Sequence, residues 1–129
     1  MKTTLKYLET FAEPEIPRGL YRNIFFPKPE NRYNHCAVIP LYGEPDWHTA
    51  GLESLLRAAK TVSGKTLLIV VINRHELSSS SIELTNQKVL DFFGTLQPIA
   101  FPDFPQMTLI EYASCLDIIV LNHNHEPHL

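Results

Sequence analysis

Three continuous apolar runs mark the chain from residue 36 onward, and polar or amphipathic segments separate them. The first run spans residues 36–39, the second reads TLLIVVIN over residues 66–73, and the third reads LDIIVLN over residues 116–122. The second run is also rich in β-branched residues. Runs with so little polar alternation are typical of strands that are covered on both faces. The pattern therefore predicts three buried strands of a parallel sheet.

Helical periodicity appears in the two segments between these runs. The apolar face of the first segment consists of Leu52, Leu55, Leu56, Ala59 and Val62. Asp46 or Thr49 can cap this helix, and Ser63-Gly64 is a stop signal. In the second segment Ser80 and Glu83 have capping-box spacing. Its inner face would consist of Val89, Leu90, Phe93 and Leu96. We therefore predict one helix after each of the first two strands.

Prolines limit what can form between the second helix and the third strand. Pro98, Pro102 and Pro105 remove backbone donors and fix the chain direction. We expect no regular structure in this stretch, apart from a helical turn in MTLIEYAS, residues 107–114.

The N-terminal quarter of the chain differs in composition from the rest. Residues 3–12 have apolar positions at helical spacing, and four prolines make residues 13–34 an irregular arm. We therefore divide the chain into an N-terminal helix and Pro-rich arm, residues 1–34, and a folded unit, residues 35–129.

The predicted order β-α-β-α-β defines an α/β fold with a Rossmann-like parallel sheet and right-handed connections. Ligands of such sheets bind where the strands end, at the carboxyl edge. We therefore expect the turn at residues 40–46, the loop at 73–81 and the segment 122–129 to share one rim.

Composition narrows the class of protein. The chain has 129 residues, 44% of them hydrophobic, which fits one compact domain. A net charge of −3 argues against binding to nucleic acid or to an anionic membrane surface. Cys36 and Cys115 stand beside apolar runs and do not form a redox or zinc motif. LLIVVI is too short to span a bilayer, and the N terminus lacks a signal peptide, so we expect a cytoplasmic protein.

The turn in HCAVIPLYGEPD, residues 35–46, is the first candidate site. At a carboxyl edge, backbone groups of residues 40–42 can bond a nucleobase, Tyr42 can stack on it, and Glu44 can accept hydrogen bonds from a ribose or base. A structural alternative stays open. Pro40 would stop the strand, Tyr42 would pack against the arm, and Glu44 with Asp46 would complement the next helix dipole.

Two further segments carry candidate chemistry. In the tail HNHEPHL, His123 and His125 are two residues apart, so in an extended chain their side chains point the same way and can bind one zinc ion. The alternative is that both belong to a frayed terminus. Ser78 to Ser81 favour a capped helix start, which can also bind an anion through free backbone donors. No Gly-x-Gly-x-x-Gly or Walker sequence is present, which argues against ordinary dinucleotide or ATP binding.

The stretch AVIPLYGEPDWHTAGLESLLRA resembles the opening of family 2 glycosyltransferases of the GT-A fold, which begin with a strand ending in Ile-Pro-x-Tyr-Asn-Glu. The motif itself covers residues 38–44, and the layout extends over residues 35–122. The resemblance implies that Pro40, Leu41 and Tyr42 line the nucleotide pocket and that Glu44 lies near the nucleoside.

Two positions depart from the family pattern. Asn73 stands where the family has an aspartate that bonds the base, so the base, of the UDP or GDP type, is left open. Gly43 replaces an asparagine and keeps the turn feasible.

The family also uses a magnesium or manganese ion held by an Asp-x-Asp motif, and an aspartate base further on. This chain has no Asp-x-Asp. We therefore expect the donor-nucleotide-binding half of a longer glycosyltransferase, or a truncated relative, with no catalytic residue and no metal bound to this chain itself. Transfer of a sugar from a nucleotide diphosphate to a hydroxyl would need the remaining parts.

Two other functions stay open. A non-catalytic module would use an exposed sheet edge for association with another protein or for homodimerisation. A small hydrolase or phosphate-binding enzyme of flavodoxin-like layout also fits the order of strands, although the sequence assembles no site for it.

Overall fold

The computed structural model describes residues 33–75 and 77–124. The predicted helix at 3–12, the arm up to residue 32 and His125 lie outside these residues. The strands are β1 (His35–Leu41), β2 (Thr66–Ile72), β3 (Ile99–Ala100), β4 (Met107–Ala113) and β5 (Leu116–Asn122). The helices are α1 (Leu52–Thr61), which follows a π-helical turn at Trp47–Gly51, and α2 (Ser80–Gly94).

The sheet is mixed, with the strand order β1-β2-β5-β4-β3. β1, β2 and β5 are parallel, which confirms the three predicted strands, whereas β4 and β3 are antiparallel to their neighbours. The prediction of a wholly parallel β-α-β-α-β sheet was therefore incomplete. The helical turn expected at 107–114 is instead strand β4, because β5 follows it after a two-residue turn and pairs with it along most of its length.

Both helices lie on the same face of the sheet. The chain advances from β1 to β2 and from β2 to β5 in one direction, and crossovers of one hand that advance in one direction place their helices together. The core on that face contains Leu52 and Ala59 of α1, Val89 and Phe93 of α2, and the sheet residues Leu68, Val70, Ile72, Ile110, Ile118 and Val120. The opposite face carries a second core of Tyr33, Leu67, Ile69, Val71, Met107, Ile119 and Leu121.

Pro40 shows which side of β1 faces away from the sheet. The Leu41 carbonyl accepts the Asn73 N–H at 2.8 Å, and the His35 N–H donates toward the Lys65 carbonyl. Odd-numbered residues of β1 therefore bond β2, and Pro40 points its nitrogen away from the ladder. Because proline has no N–H, this outward position costs no hydrogen bond. Among the described strands, β1 pairs with β2 alone.

A buried charge cluster holds the amino edge of the sheet. Asp117 of β5 is only 4% exposed. Its carboxylate accepts the Tyr33 hydroxyl at 2.6 Å and forms an ion pair with Lys65 at 3.0 Å. Burial raises the pKa of Tyr33 above its ordinary value, and the hydrogen bond to the Asp117 carboxylate raises it further. The cluster therefore ties the segments that precede β1 and β2 to β5.

This cluster predicts a loss of stability at high pH. Above about pH 10, Tyr33 ionises in the unfolded chain and stays protonated in the folded one. The folded state then binds one proton more, so the free energy of unfolding falls by about 1.4 kcal/mol for each further pH unit. Tyr33→Phe should lack this component of the slope, measured by urea unfolding at several pH values. If the free energies of unfolding of the two proteins fell with pH at the same rate, the role assigned to Tyr33 would be contradicted.

Candidate functional site

The carboxyl ends of the three parallel strands lie side by side. Leu41 pairs with Ile72, and Ile72 pairs with Asn122, so β1, β2 and β5 end at the same level. We call this edge the carboxyl rim, formed by residues 42–46, 73–75, 77–79 and 122–124. The structure therefore brings together, within the described residues, the segments that the sequence assigned to one edge.

Asn86 of α2 joins all three strand ends. This side chain is 1% exposed. Its Oδ1 accepts the Gly43 N–H at 2.9 Å, and its Nδ2 donates to the Asn73 carbonyl at 2.8 Å and to Asn124 Oδ1 at 3.0 Å. One buried amide thus satisfies backbone groups that lie beyond the last pairs of the sheet ladder.

Asn124 extends this network and is fully buried. Its Nδ2 donates to the Glu83 carbonyl at 3.1 Å, and its N–H donates to Asn122 Oδ1 at 2.9 Å. Its own carbonyl accepts a short hydrogen bond from Arg74 Nε. The backbone after β5 is therefore fixed to α2, and it in turn orients the arginine that follows β2.

The turn after β1 requires glycine at position 43. Gly43 has a φ of 63°, in the left-handed region, and a Cβ there would lie 2.6 Å from Cδ1 of Ile82. The first turn of α2 thus packs directly on the turn after β1. The left-handed φ and this close approach together favour glycine at position 43.

The capping predictions hold only in part. Asp46, one of the two predicted caps, is the N-cap of the π-helical turn that leads into α1, but its carbonyl and not its carboxylate accepts the Thr49 N–H and hydroxyl, at 3.1 and 2.8 Å. At α2 the N-cap is Ser79 instead of Ser80. The Ser79 hydroxyl bonds the Ser81 hydroxyl at 2.7 Å and makes no side-chain cap.

Tyr42 stands at the rim with 45% of its surface exposed. Its hydroxyl hydrogen-bonds the hydroxyl of Ser78, which accepts the His75 N–H at 2.9 Å. The ring is therefore anchored at its polar end to the loop before α2. Much of its surface remains available for contact with a ligand.

The other predicted residues have different surroundings. Pro40 and Glu44 are exposed, and Asn73 is half-buried. The Leu41 side chain belongs to the core, so this residue can offer only backbone groups to the rim. His123 is buried, and its N–H donates to the Ile72 carbonyl at 2.9 Å. In residues 33–75 and 77–124 no cluster of three His, Cys, Asp or Glu side chains forms a metal site.

Sequence reasoning missed Asn86, Asn124 and Arg74. A usable signal existed for Asn86, which falls between Ile82 and Val89 on the inner face of α2, where an apolar residue is the norm. A polar residue in that stripe must find partners, and here they are the strand ends.

Comparison of the chain with known protein families, with curated proteins and with solved structures finds no match. Neither helix of the described part has the length and apolar content needed to cross a bilayer. Functional inference therefore depends on the geometry of the rim.

The amide network predicts a large effect of Asn86→Leu on stability. Leucine has a similar volume but leaves the Gly43 N–H, the Asn73 carbonyl and Asn124 Oδ1 without their buried partner. We expect a loss of about 3 kcal/mol in the free energy of unfolding, measured by denaturant titration. Lys88→Ala, on the exposed side of the same helix, should change stability by less than about 0.5 kcal/mol. Equal effects of the two substitutions would contradict the network's importance.

Proposed function

We propose that this chain is the donor-nucleotide-binding part of a glycosyltransferase-like protein, which transfers a sugar from a nucleotide diphosphate to a hydroxyl. One observation carries the proposal. Tyr42 and Asn73 follow neighbouring parallel strands at the carboxyl rim, and the backbone of both turns is held by Asn86. An exposed ring and an amide that follow neighbouring strand ends, on a fixed backbone, suit recognition of a nucleobase.

Each rim residue has a distinct role in this proposal. The Tyr42 ring stacks on the base, and the Asn73 side chain, which has a donor and an acceptor, bonds the edge of the base. Glu44 accepts hydrogen bonds from the ribose. Pro40 and Leu41 contribute the end of the strand that carries these groups. The parallel half of the sheet with its two helices corresponds, in this proposal, to the first half of a Rossmann-like GT-A domain.

In this proposal the described residues bind the nucleoside and carry out no step of the reaction. Among residues 33–75 and 77–124, Glu44 and Asp46 belong to no group of three His, Cys, Asp or Glu side chains. A magnesium or manganese ion for the intact enzyme would have to be held by other residues. We therefore assign binding and orientation of the nucleoside to this chain, and no step of sugar transfer.

A groove that meets the carboxyl rim at Asn122 is a poor alternative for the nucleotide. It has a volume of about 180 Å³ and is lined by residues of α2, β4 and β5, among them Leu90, Phe93 and Asn122. Sites for small molecules usually enclose roughly 300–1,000 Å³. The groove includes none of Tyr42, Glu44 or Asn73, so it is not part of the proposed site.

An amide-resolved titration with UDP and GDP, with and without manganese, tests the proposal. We expect shifts clustered at Tyr42, Glu44 and Asn73 that rank the two bases. Tyr42→Ala should weaken binding by about 5- to 150-fold, because base stacking on an aromatic ring contributes about 1–3 kcal/mol.

Val62→Ala is a matched control, because Val62 is 42% exposed, lies directly after α1 and is not a residue of the rim. It should leave the affinity unchanged. Saturating nucleotide that shifts no rim amide, or a Tyr42→Ala protein with wild-type affinity, would overturn the proposal.

The outward side of β1 favours a second candidate, a non-catalytic module that forms a homodimer. The ladder geometry directs the N–H and C=O of Val38 away from β2, and half-buried apolar side chains flank them on both faces. In a doubly wound sheet the first strand has a neighbour on each side, whereas β1 has one among the described strands. Such an edge can pair with a second copy of itself.

Sedimentation from micromolar to millimolar protein tests the second candidate. A homodimer should give a mass that rises toward twice 14.7 kDa, and Val38→Lys should reverse the rise by placing a charge on the edge. A mass of one chain at every concentration would remove this candidate. The nucleotide proposal does not depend on the outcome.

A further inference from the structure

Arg74 occupies the middle of the carboxyl rim. It follows Asn73 at the end of β2, and its Nε donates to the Asn124 carbonyl after β5. Its side chain is half-buried, so it is held by the protein and still reaches solvent. The Arg74 side chain therefore crosses from the end of β2 to the end of β5, on the side of β2 away from Tyr42.

No carboxylate of residues 33–75 or 77–124 forms an ion pair with this arginine. In the described part of the chain the ion pairs are Arg57 with Glu53 and Lys65 with Asp117, and neither involves Arg74. A guanidinium carries five N–H donors, of which the bond to Asn124 uses one. A half-buried cation without an ionic partner retains its charge and most of its donors for an anionic ligand.

The group that orients Arg74 is itself immobile. The Asn124 N–H donates to Asn122 Oδ1, and the Asn124 side chain is hydrogen-bonded to the Asn86 side chain and to the Glu83 carbonyl. An acceptor fixed in this way holds the guanidinium in one orientation before any ligand arrives. Preorganisation of this kind lowers the entropy lost on binding.

We propose that Arg74 binds the phosphate groups of the nucleotide, with Asn124 as the residue that positions it. The inference depends on the proposed nucleotide function and adds the orientation of the ligand. The base lies at the ends of β1 and β2, near Tyr42 and Asn73, and the phosphates lie at the ends of β2 and β5. The planar guanidinium suits two phosphate oxygens at once.

Affinities of uridine, UMP and UDP for the wild type, Arg74→Gln and Arg74→Lys test this role. For the wild type we expect affinity to rise with each phosphate. Arg74→Gln should reduce UDP affinity by about 10-fold or more and change uridine affinity by less than about twofold, because only the phosphates contact the guanidinium. Arg74→Lys should give an intermediate UDP affinity, since it keeps the charge but loses the fork of donors. Lys88→Gln, on α2, should leave all three affinities unchanged.

The comparison of ligands separates this inference from the proposed function. Suppose that the wild type binds uridine and UDP and that neither Arg74→Gln nor Arg74→Lys changes these affinities. Arg74 would then be only a structural tether, and the inference would be overturned, while the nucleotide proposal would stand. If the wild type bound neither uridine nor UDP, the nucleotide proposal would fail. Inorganic pyrophosphate would then be the probe. Shifts of the Arg74 Nε–H and of the backbone amides of Asn73 and Asn124, with both amide shifts lost in Arg74→Gln, would support an anion site. No shift in the wild type would overturn it.

Discussion

The rim depends on the buried side chain of Asn86, because parallel strands that end together leave backbone groups without ladder partners. Such groups cannot be buried unpaired without a cost in stability. Asn86 reaches them from α2, which brings the first turn of that helix onto the turn after β1. The close approach of Ile82 then requires glycine at position 43. The same amide fixes Asn124, and through it the orientation of Arg74.

Elements with a local signal were predictable, and those that depend on distant pairing were not. The apolar run at 66–73 and the helical stripe from Leu52 to Ala59 are properties of contiguous residues, and the structure contains both elements. β4 was read as a helical turn because its strand character comes from pairing with β5. The edge position of β1 was encoded in Pro40, whose missing N–H fits only an outward position, but the sequence alone does not say which side is outward.

Part of the candidate site follows from the order of strands, and part does not. Tyr42, Glu44 and Asn73 were placed on one rim because strand ends of a parallel sheet share an edge. Their arrangement on that rim was not predictable, because it depends on Asn86, which lies 43 residues after Gly43 and 38 before Asn124. The cap at α2 was misplaced for a related reason. The Ser79 hydroxyl bonds the Ser81 hydroxyl instead of the helix backbone. The spacing of serine and glutamate in the sequence does not determine which of these partners is used.

The two ends of the sheet are held by different chemistry, and this difference matters for function. At the amino edge, the Asp117 carboxylate binds the Lys65 ammonium and the Tyr33 hydroxyl, so the lysine charge is neutralised within the protein. At the carboxyl rim the network is built from neutral amides. If Asn124 or Asn86 were a carboxylate, its charge would compete with a ligand for the guanidinium of Arg74. Because the amides accept and donate hydrogen bonds without a net charge, they orient Arg74 and leave its positive charge for an anion. A neutral scaffold under a fixed cation would suit the phosphate binding that we propose for this edge.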